Sequence, residues 1–442
     1  MRKKIFVAFF LVLALGRVAS AQELNKAKLD QFFDRLNEKN KAMGSLVLAK
    51  DGNVIYSRAI GYSQINDAGK KPLSITSRHR VGSVTKTFTA VMILQLIEEG
   101  KLKLSSHLGQ FFPQIPNANR ITIAQLLAHR SGIHDISADP DYRIRRWDGL
   151  SRDELLALIT KARPDFEPDG KFAYSNTGYQ LLGMIIEKLT HKSYQEALKE
   201  RISAKIGLKD TYPALGSIDS TKNESHSFRY LTNWEQQPET HPSLLFGSGA
   251  LISTPADLAK FIHALFGGKL ISQSSLRQML AKDYGFGMET FMFEGKTFYG
   301  HTGGVDNFGS YMLYAPEEKL AVAYSSNAKV YPVGNIINGV MDIYFDKPFT
   351  IPAFETIAVD SGVLDTYVGI YTLPDASFKF TVTREGENLF VRMNDQPAIP
   401  LEPKAQNIFG IESAGIFFEF DTTKNQMIQK RGGRERVFVR EK

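Results

Sequence analysis

The sequence contains no cysteine, and this absence excludes several kinds of chemistry at once. Without thiols the chain can form neither disulfides nor cysteine metal sites, and it has no cysteine nucleophile. It also lacks a Gly-x-Ser-x-Gly segment, the usual mark of the nucleophile turn in α/β-hydrolases. The chain of 442 residues must therefore be stabilised by burial of its hydrophobic residues, which make up 43% of the total.

A strong net charge is also missing. The formal charge of +7 includes four basic residues within positions 1–21, and without them 50 Lys and Arg face 47 Asp and Glu. The remaining charge of +3 gives no electrostatic footprint for nucleic acid, so we predict no nucleic-acid partner.

The N-terminus predicts a cleavable signal peptide. A basic segment at 2–4 precedes the apolar run 5–16, and small residues follow at 19–21. The apolar run is too short to cross a bilayer as a helix. We therefore expect residues 1–21 to be removed, the mature chain to be periplasmic or secreted, and no integral membrane segment to remain.

Apolar periodicity divides the rest into a mixed α/β part and a β part. Helices are predicted at 23–40, 84–97, 122–128, 152–162, 177–190, 194–206, 255–266 and 333–345, and strands at 45–50, 54–58, 284–297, 310–315 and 320–324. Strands from both ends of residues 22–350 would share an antiparallel sheet flanked by helices, with a mostly helical insert between them. A linker at 351–363 would lead to residues 364–442, where short strands at 367–371, 378–383, 389–393, 408–412, 417–420 and 436–440 predict a small antiparallel β-barrel.

The segment from Ser83 to Lys86 stands out because a buried helix follows it. At a helix N-terminus, free backbone N–H groups favour developing negative charge. A spacing of three residues puts the hydroxyl and the amine on one face, and a deprotonated lysine can activate a serine. Taken alone, the pattern also fits an N-cap serine with an exposed lysine. A second copy at Ser326 and Lys329 follows strand 320–324 into a turn, so it lacks a helix N-terminus.

Two further segments carry polar groups suited to the same chemistry. A tyrosine at Tyr174 close to Lys86 is expected to have a lowered pKa and to take the Ser83 proton, while Asn176 would orient a substrate carbonyl or Lys86. The glycines from Gly300 to Gly304 follow a strand, where a free N–H can form one arm of an oxyanion hole. The structural alternatives are a buried tyrosine, an N-cap asparagine and a glycine turn.

In this order and separation, the three segments resemble the serine penicillin-recognising hydrolases over residues 24–346. That group comprises class C β-lactamases, low-molecular-weight DD-peptidases and related esterases. Leu126 to Ile133 and Gly247 to Leu251 are similar to two more of its segments, the second a turn before a helix. The resemblance implies acylation at Ser83, proton transfer by Lys86 and Tyr174, substrate binding by Asn176, His301, Thr302 and Gly303, and an oxyanion hole from the backbone N–H groups of Ser83 and Gly304. Which of Lys86 and Tyr174 takes the first proton stays open.

At position 301 this chain departs from many β-lactamases, which have lysine there. An unperturbed histidine is mostly neutral at pH 7, so it would bind an anionic carboxylate more weakly or in a pH-dependent way, which argues against efficient β-lactam hydrolysis. A histidine at this position also resembles some DD-peptidases and esterases. We therefore expect a D-Ala-D-Ala carboxypeptidase of penicillin-binding type, with an esterase or a β-lactamase on the same site as alternatives. An inert protein that binds cell-wall fragments is the alternative of another class.

The expected ligand is accordingly a small molecule or peptide: a D-amino-acid peptide, a β-lactam or an ester. No cofactor is predicted, and no metal, because His129 and His134 have no third ligand at metal spacing. Tyr142, Trp147, Trp234 and Phe246 are candidates for the wall of a cleft or for packing. The C-terminal part is similar to the lipocalin-like appendage of some members of this group.

Overall fold

The computed structural model describes residues 24–67, 69–280, 284–355, 357–373, 378–396 and 398–441. The predicted signal peptide at 1–21 lies outside these residues. None of the helices in the described part has the length and apolar character needed to cross a membrane.

In chain order the helices are α1 (Lys26–Glu38), α2 (Thr85–Glu98), α3 (Ile123–Leu127), α4 (Pro140–Arg143), α5 (Arg152–Lys161), α6 (Asn176–Thr190), α7 (Tyr194–Leu198), α8 (Ala204–Ile206), α9 (Pro242–Gly249), α10 (Pro255–Phe266), α11 (Gln273–Met279), α12 (Val333–Tyr344) and α13 (Ser361–Tyr367). The strands are β1 (Ala42–Lys50), β2 (Asn53–Ile60), β3 (Tyr62–Asn66), β4 (Gly69–Pro72), β5 (His79–Arg80), β6 (Tyr212–Pro213), β7 (Phe228–Tyr230), β8 (Trp234–Gln236), β9 (Leu251–Ser253), β10 (Glu289–Phe293), β11 (Lys296–Val305), β12 (Phe308–Ala315), β13 (Leu320–Lys329), β14 (Gly369–Thr372), β15 (Lys379–Glu385), β16 (Asn388–Met393), β17 (Ile399–Pro403), β18 (Ile408–Ile411), β19 (Ile416–Asp421), β20 (Gln426–Arg431) and β21 (Arg434–Arg440).

The central sheet joins strands from distant parts of the chain. Its main path is β10-β11-β12-β13-β1-β2, with antiparallel neighbours throughout. β1 pairs with β13 from Ala42 opposite Lys329 to Lys50 opposite Leu320. The mixed α/β fold with a shared antiparallel sheet is therefore confirmed.

Apolar side chains cover both faces of this sheet. α1 and α12 pack on one face, whereas α10 and the helical insert pack on the other. α2 lies at the centre of the second core, and every residue from Thr85 to Leu96 is buried, as its apolar run predicts. The first turn of α2, which carries Lys86, is thereby fixed inside the protein.

The long helices are predicted well because their apolar periodicity is strong. α1, α2, α5, α6, α10 and α12 begin and end within three residues of the predicted bounds. The predicted helix 194–206 is present but divided, with a π-helical stretch at Lys199–Ser203 between α7 and α8.

Several predicted segment ends are wrong. The glycines of Gly300 to Gly304 lie inside β11, because β12 pairs with this strand as far as Val305. β13 continues to Lys329, so the second Ser-x-x-Lys copy lies on a buried strand between β1 and β12 instead of a turn. The segment from Gly247 to Leu251 ends α9 and enters β9, after a non-helical Phe246 with φ 41° and ψ −132°.

The C-terminal strands β14 to β21 form a closed barrel, as predicted. α13 precedes it, so Tyr367 belongs to a helix and not to the first strand. Lys41, just before β1, contacts the barrel through Glu402 at 2.7 Å and Glu412 at 3.5 Å. The division of the chain into residues 22–350 and 364–442 stays a prediction.

Candidate active site

Ser83 lies in the 3₁₀ turn Gly82–Val84 that leads into α2. Its half-buried side chain lines a cavity of about 850 Å³. Gly82 has a φ of +53°, in the left-handed region, and a Cβ on it would lie 2.7 Å from the Gly304 nitrogen. Because Gly82 has no side chain, the turn at 82–84 that carries Ser83 (the serine turn) can contact β11.

Gly303 makes the corresponding contact from the strand. A Cβ on Gly303 would lie 1.9 Å from the carbonyl oxygen of Val81, to which Ser310 Oγ donates at 2.7 Å. Gly303 thus packs against the serine turn, while Gly304 lines the cavity. Both glycines serve the close approach of β11 to the residues before α2.

Lys86 lies one helical turn after Ser83 and is fully buried. Its Nζ is 3.1 Å from Ser83 Oγ, 2.8 Å from Asn176 Oδ1 and 2.8 Å from the Ser248 carbonyl oxygen. The hydroxyl and the amine therefore meet on one face of the helix, as their spacing predicts.

Burial lowers the pKa of Lys86 to about 7, although the Asp135 and Glu289 carboxylates act in the opposite direction. A neutral amine has two N–H donors and one lone pair. The three contacts of Nζ match that form, since two are carbonyl oxygens that only accept and the third is a hydroxyl that can donate. The lone pair can therefore face the proton of Ser83.

Asn176 is the first residue of α6, and contacts of its amide nitrogen fix the orientation of its side chain. Its Nδ2 donates to Asp135 Oδ2 at 3.1 Å and lies 3.4 Å from Ser137 Oγ, so Oδ1 must face Lys86. Asp135 and Ser137 were not predicted as site residues, because an isolated acid and serine in a loop carry no recognisable spacing.

Tyr174 lies just before α6, with its ring 4.8 Å from Lys86 Nζ. The expected lowering of its pKa is wrong: loss of water around the ring raises the pKa of Tyr174 above its ordinary value, although 37% of the residue is exposed, and a hydrogen bond with Ser83 offsets only part of this effect. A lysine with a pKa of about 7 is only partly charged at pH 7, so it stabilises a phenolate less than an ordinary lysine would. Tyr174 is therefore a neutral phenol at pH 7, a form that can donate a proton.

His301 is buried, whereas Thr302 is half-buried. The His301 side chain is 1% exposed, and burial lowers the pKa of His301 to about 3, so the ring is neutral. Thr302 Oγ1 donates to the Glu289 carboxylate at 3.2 Å. Neither side chain lines the cavity beside Ser83. The substrate-binding roles of His301, Thr302 and Gly303 stay predictions.

A chain of three rings runs beneath Tyr174. His129 Nδ1 accepts the Ser175 N–H at 3.0 Å, so its neutral ring carries the proton on Nε2, 2.9 Å from the Tyr284 hydroxyl. His301 Nδ1 faces the Thr302 carbonyl oxygen, so its Nε2 accepts from Tyr284 at 3.0 Å. The His129 ring stacks on Tyr174 with centroids 4.3 Å apart. This network was missed because Tyr284 has no motif around it.

Replacing Tyr284 by phenylalanine should leave His129 Nε2–H and His301 Nε2 without partners. Each unpaired buried group costs about 1–3 kcal/mol, so we expect the free energy of unfolding to fall by at least that amount in denaturant titrations. Tyr299→Phe is the control, because the Tyr299 hydroxyl has no hydrogen-bond partner among the described residues. Equal stability of the two variants would contradict a coupled network.

Charged and aromatic side chains complete the cavity beside Ser83. Tyr142 and Trp147 lie on its wall, whereas Trp234 and Phe246 do not. Of its two arginines, Arg146 is paired with an aspartate, and Arg143 has no ion pair with any residue that the structure describes. No cluster of three acidic or histidine side chains in the described ranges could hold a metal ion.

The chain is similar in sequence and in fold to several known proteins. A family model described as Beta-lactamase matches residues 29–339. Penicillin-binding protein 4* of Bacillus subtilis (strain 168) is 27% identical over 454 residues, covering 93% of this chain and 98% of that protein. A D-stereospecific amidohydrolase from Streptomyces sp. is 27% identical with a TM-score of 0.61, covering 72% of this chain and 98% of its own.

A third comparison includes the barrel. The octameric penicillin-binding protein homologue from Pyrococcus abyssi is 23% identical with a TM-score of 0.65, covering 95% of this chain and 99% of its own, which is a likeness of fold. Together these findings define a serine hydrolase of the penicillin-binding-protein type. The chain belongs to the beta-lactamase family, as the match over more than half of its length shows.

Proposed function

We propose that the protein is an exported DD-carboxypeptidase that hydrolyses D-amino-acid peptides through an acyl-enzyme on Ser83. The observation that carries the proposal is the 3.1 Å contact between Ser83 Oγ and the Lys86 amine, whose pKa is about 7. A penicillin-binding protein and a D-stereospecific amidohydrolase among the similar proteins support a substrate of D configuration.

In the proposed reaction Lys86 accepts the Ser83 proton while Oγ attacks the substrate carbonyl. The oxyanion would be bound by the backbone N–H groups of Ser83 and Gly304, which both lie on the cavity. Tyr174, a neutral phenol, would give its proton to the leaving amine. Water would then attack the acyl-enzyme and give one proton to the Tyr174 phenolate, while Lys86 returns its proton to Ser83 Oγ, so that the acid is released and all three groups are restored.

The terminal carboxylate of such a peptide needs a cation, and the neutral His301 does not supply one. Arg143 is the cavity arginine without an ion pair among the described residues, so we assign carboxylate binding to it. The assignment predicts that Arg143→Gln raises KM for a D-Ala-D-Ala peptide more than for D-alanine amide, which has no carboxylate.

A D-amino-acid amidase is the second candidate, and the environment of Thr302 favours it. The Thr302 hydroxyl is bound to Glu289, whose carboxylate would repel a carboxylate bound nearby. Comparing kcat/KM for the peptide and the amide, each with its L isomer as control, separates the two candidates. Turnover of both L isomers at the same rate as the D isomers would contradict both.

Intact-mass spectrometry with benzylpenicillin tests the acyl-enzyme directly. A lasting adduct mapped to Ser83 supports a penicillin-binding peptidase, whereas an adduct that disappears while the drug is consumed indicates a β-lactamase. If no adduct forms, a chromogenic short-chain ester distinguishes an esterase from an inert binding protein.

A further inference from the structure

The interior of the C-terminal barrel contains a cavity of about 1010 Å³ that is separate from the one beside Ser83. This volume is at the upper end of ligand pockets, which are roughly 300–1,000 Å³. Barrels of eight strands are wide enough to be filled by side chains or to hold one small ligand. Among the residues that the structure describes, this barrel is filled at one end and open at the other.

The strand register shows that the lining residues point inward. Phe380 lies opposite Met393, and Val391 lies opposite Ile399. On the other side of the barrel Ile411 lies opposite Ile416. All of these residues line the cavity, whose wall is therefore largely apolar.

The far end of the barrel is closed by α13 and by a second layer of aromatic rings. Tyr367 of α13 stacks on Phe420 with centroids 4.6 Å apart, and its hydroxyl donates to the Gln406 carbonyl. Leu364, Phe409 and Phe438 belong to the same buried cluster. In the described part of the barrel a ligand could therefore enter from the open end and would meet a hydrophobic floor.

The open end carries positive charge. Arg431, Arg434 and Arg436 line the cavity, and none of them forms an ion pair or a side-chain hydrogen bond with a residue that the structure describes. Arg229, whose charge is paired with Glu235 at 3.3 Å, reaches the same cavity from β7 of the central sheet. No aspartate or glutamate belongs to the described lining.

We infer that the barrel is a second ligand site, which binds one anionic amphiphile with its apolar chain inside the barrel and its carboxylate or phosphate against Arg431, Arg434 and Arg436. The apolar wall stabilises the chain by removing it from water. The guanidinium groups can form charge-assisted hydrogen bonds to the head group. They need not break an ion pair or a side-chain hydrogen bond with a described residue to do so.

Titration calorimetry of the full-length protein with dodecanoate, below its micelle concentration, tests this site. We expect one molecule bound per chain. Hexanoate should bind at least about 10²-fold more weakly because six buried methylene groups are missing. Dodecanol and dodecyltrimethylammonium should bind about tenfold or more weakly because they lack the negative charge.

Two variants locate the binding. Met393→Trp should narrow the entrance and weaken dodecanoate about tenfold or more; Met393 is 43% exposed, so the larger ring can be accommodated. Arg436→Gln should weaken dodecanoate and leave dodecanol unchanged. The matched control is Arg392→Gln, since Arg392 lies on β16 next to Val391 and its side chain is exposed on the outside. Thermal unfolding and hydrolysis by all three variants should match the unaltered protein.

A free fatty acid and a membrane lipid share the required chemistry, and vesicles distinguish them. Co-sedimentation with phosphatidylglycerol vesicles that dodecanoate abolishes would identify a membrane lipid as the source, and binding of dodecanoate without vesicle association would identify a free amphiphile. The inference is overturned if dodecanoate does not bind, if dodecanol binds equally well, or if folded Met393→Trp binds dodecanoate unchanged.

Discussion

Hydrolysis of all substrates should be lost when Ser83 is replaced by alanine. Without Oγ no acyl-enzyme can form, and removing an attacking serine typically lowers kcat by about 10⁴-fold or more. The side chain is only half-buried, so the fold should remain intact. Steady-state kinetics with a D-Ala-D-Ala peptide, together with the mass of the protein after exposure to benzylpenicillin, measure the effect.

The matched control is the other serine that precedes a lysine by three residues. Ser326 Oγ lies within hydrogen-bond distance of the carbonyl oxygens of Met43 and Ala328, one of which can accept its single proton, and it accepts the Ala328 N–H. Ser326→Ala leaves buried backbone groups without this partner, so it should lower the free energy of unfolding by about 1–3 kcal/mol and keep turnover within a few-fold. Turnover retained by Ser83→Ala would refute the assignment of the nucleophile.

Activity should rise with pH around pH 7 in the unaltered protein and lose this dependence in Lys86→Met. The Lys86 amine can accept a proton only when neutral, and burial sets its pKa to about 7, so kcat/KM should fall as pH drops below that value. Lys86→Met should lower kcat/KM by roughly 10²–10⁴-fold at pH 8. The Tyr174→Phe variant should also hydrolyse the substrate slowly. Its kcat/KM should still rise with pH around pH 7, because Lys86 remains in place.

The same titration has a thermodynamic counterpart that does not depend on any substrate. An unfolded lysine titrates near pH 10.4, so between about pH 7 and pH 10 the unfolded chain binds more protons than the folded one. The free energy of unfolding should therefore rise with pH, relative to Lys86→Met, by up to about 1.4 kcal/mol per pH unit. A difference that does not change from pH 7 to pH 9 would show that Lys86 keeps an ordinary pKa, and would exclude it as the base.

Local spacing predicts the contact between Ser83 and Lys86 well, and tertiary burial explains what local spacing cannot predict. Ser83 and Lys86 meet because three residues make nearly one helical turn, which is a property of the local sequence. The pKa of Tyr174 was predicted in the wrong direction because local spacing does not show the loss of water around the ring or the nearby Glu289 and Asp135 carboxylates, all of which raise it. The buried position of His301 depends on its pairing with Met312 and on Tyr284, and no short pattern encodes either contact.

In the fold too, elements with a long local pattern were predicted, and elements that depend on tertiary contacts were missed. α2 and α10 were predicted to within one residue because ten or more residues share one apolar pattern. β5, β6 and β9 were missed because each has only two or three residues and acquires its strand geometry from its partners. β11 was ended too early because its glycines suggest a turn, whereas in the sheet they allow close contact with the residues before Ser83.

The pairing of β1 with β13 also has a consequence for how the protein folds. Lys50 and Leu320 are partners although 270 positions separate them, so β1 cannot complete its pairing until nearly the whole α/β part has been synthesised. At roughly 5–20 residues per second, that delay is on the order of 15–60 s on the ribosome. Bringing such distant residues together costs conformational entropy before any new contact compensates for that cost. The fold therefore has a high contact order, and we expect it to form slowly. During that time the apolar face of β1 remains exposed, which is the condition in which chaperones bind nascent chains.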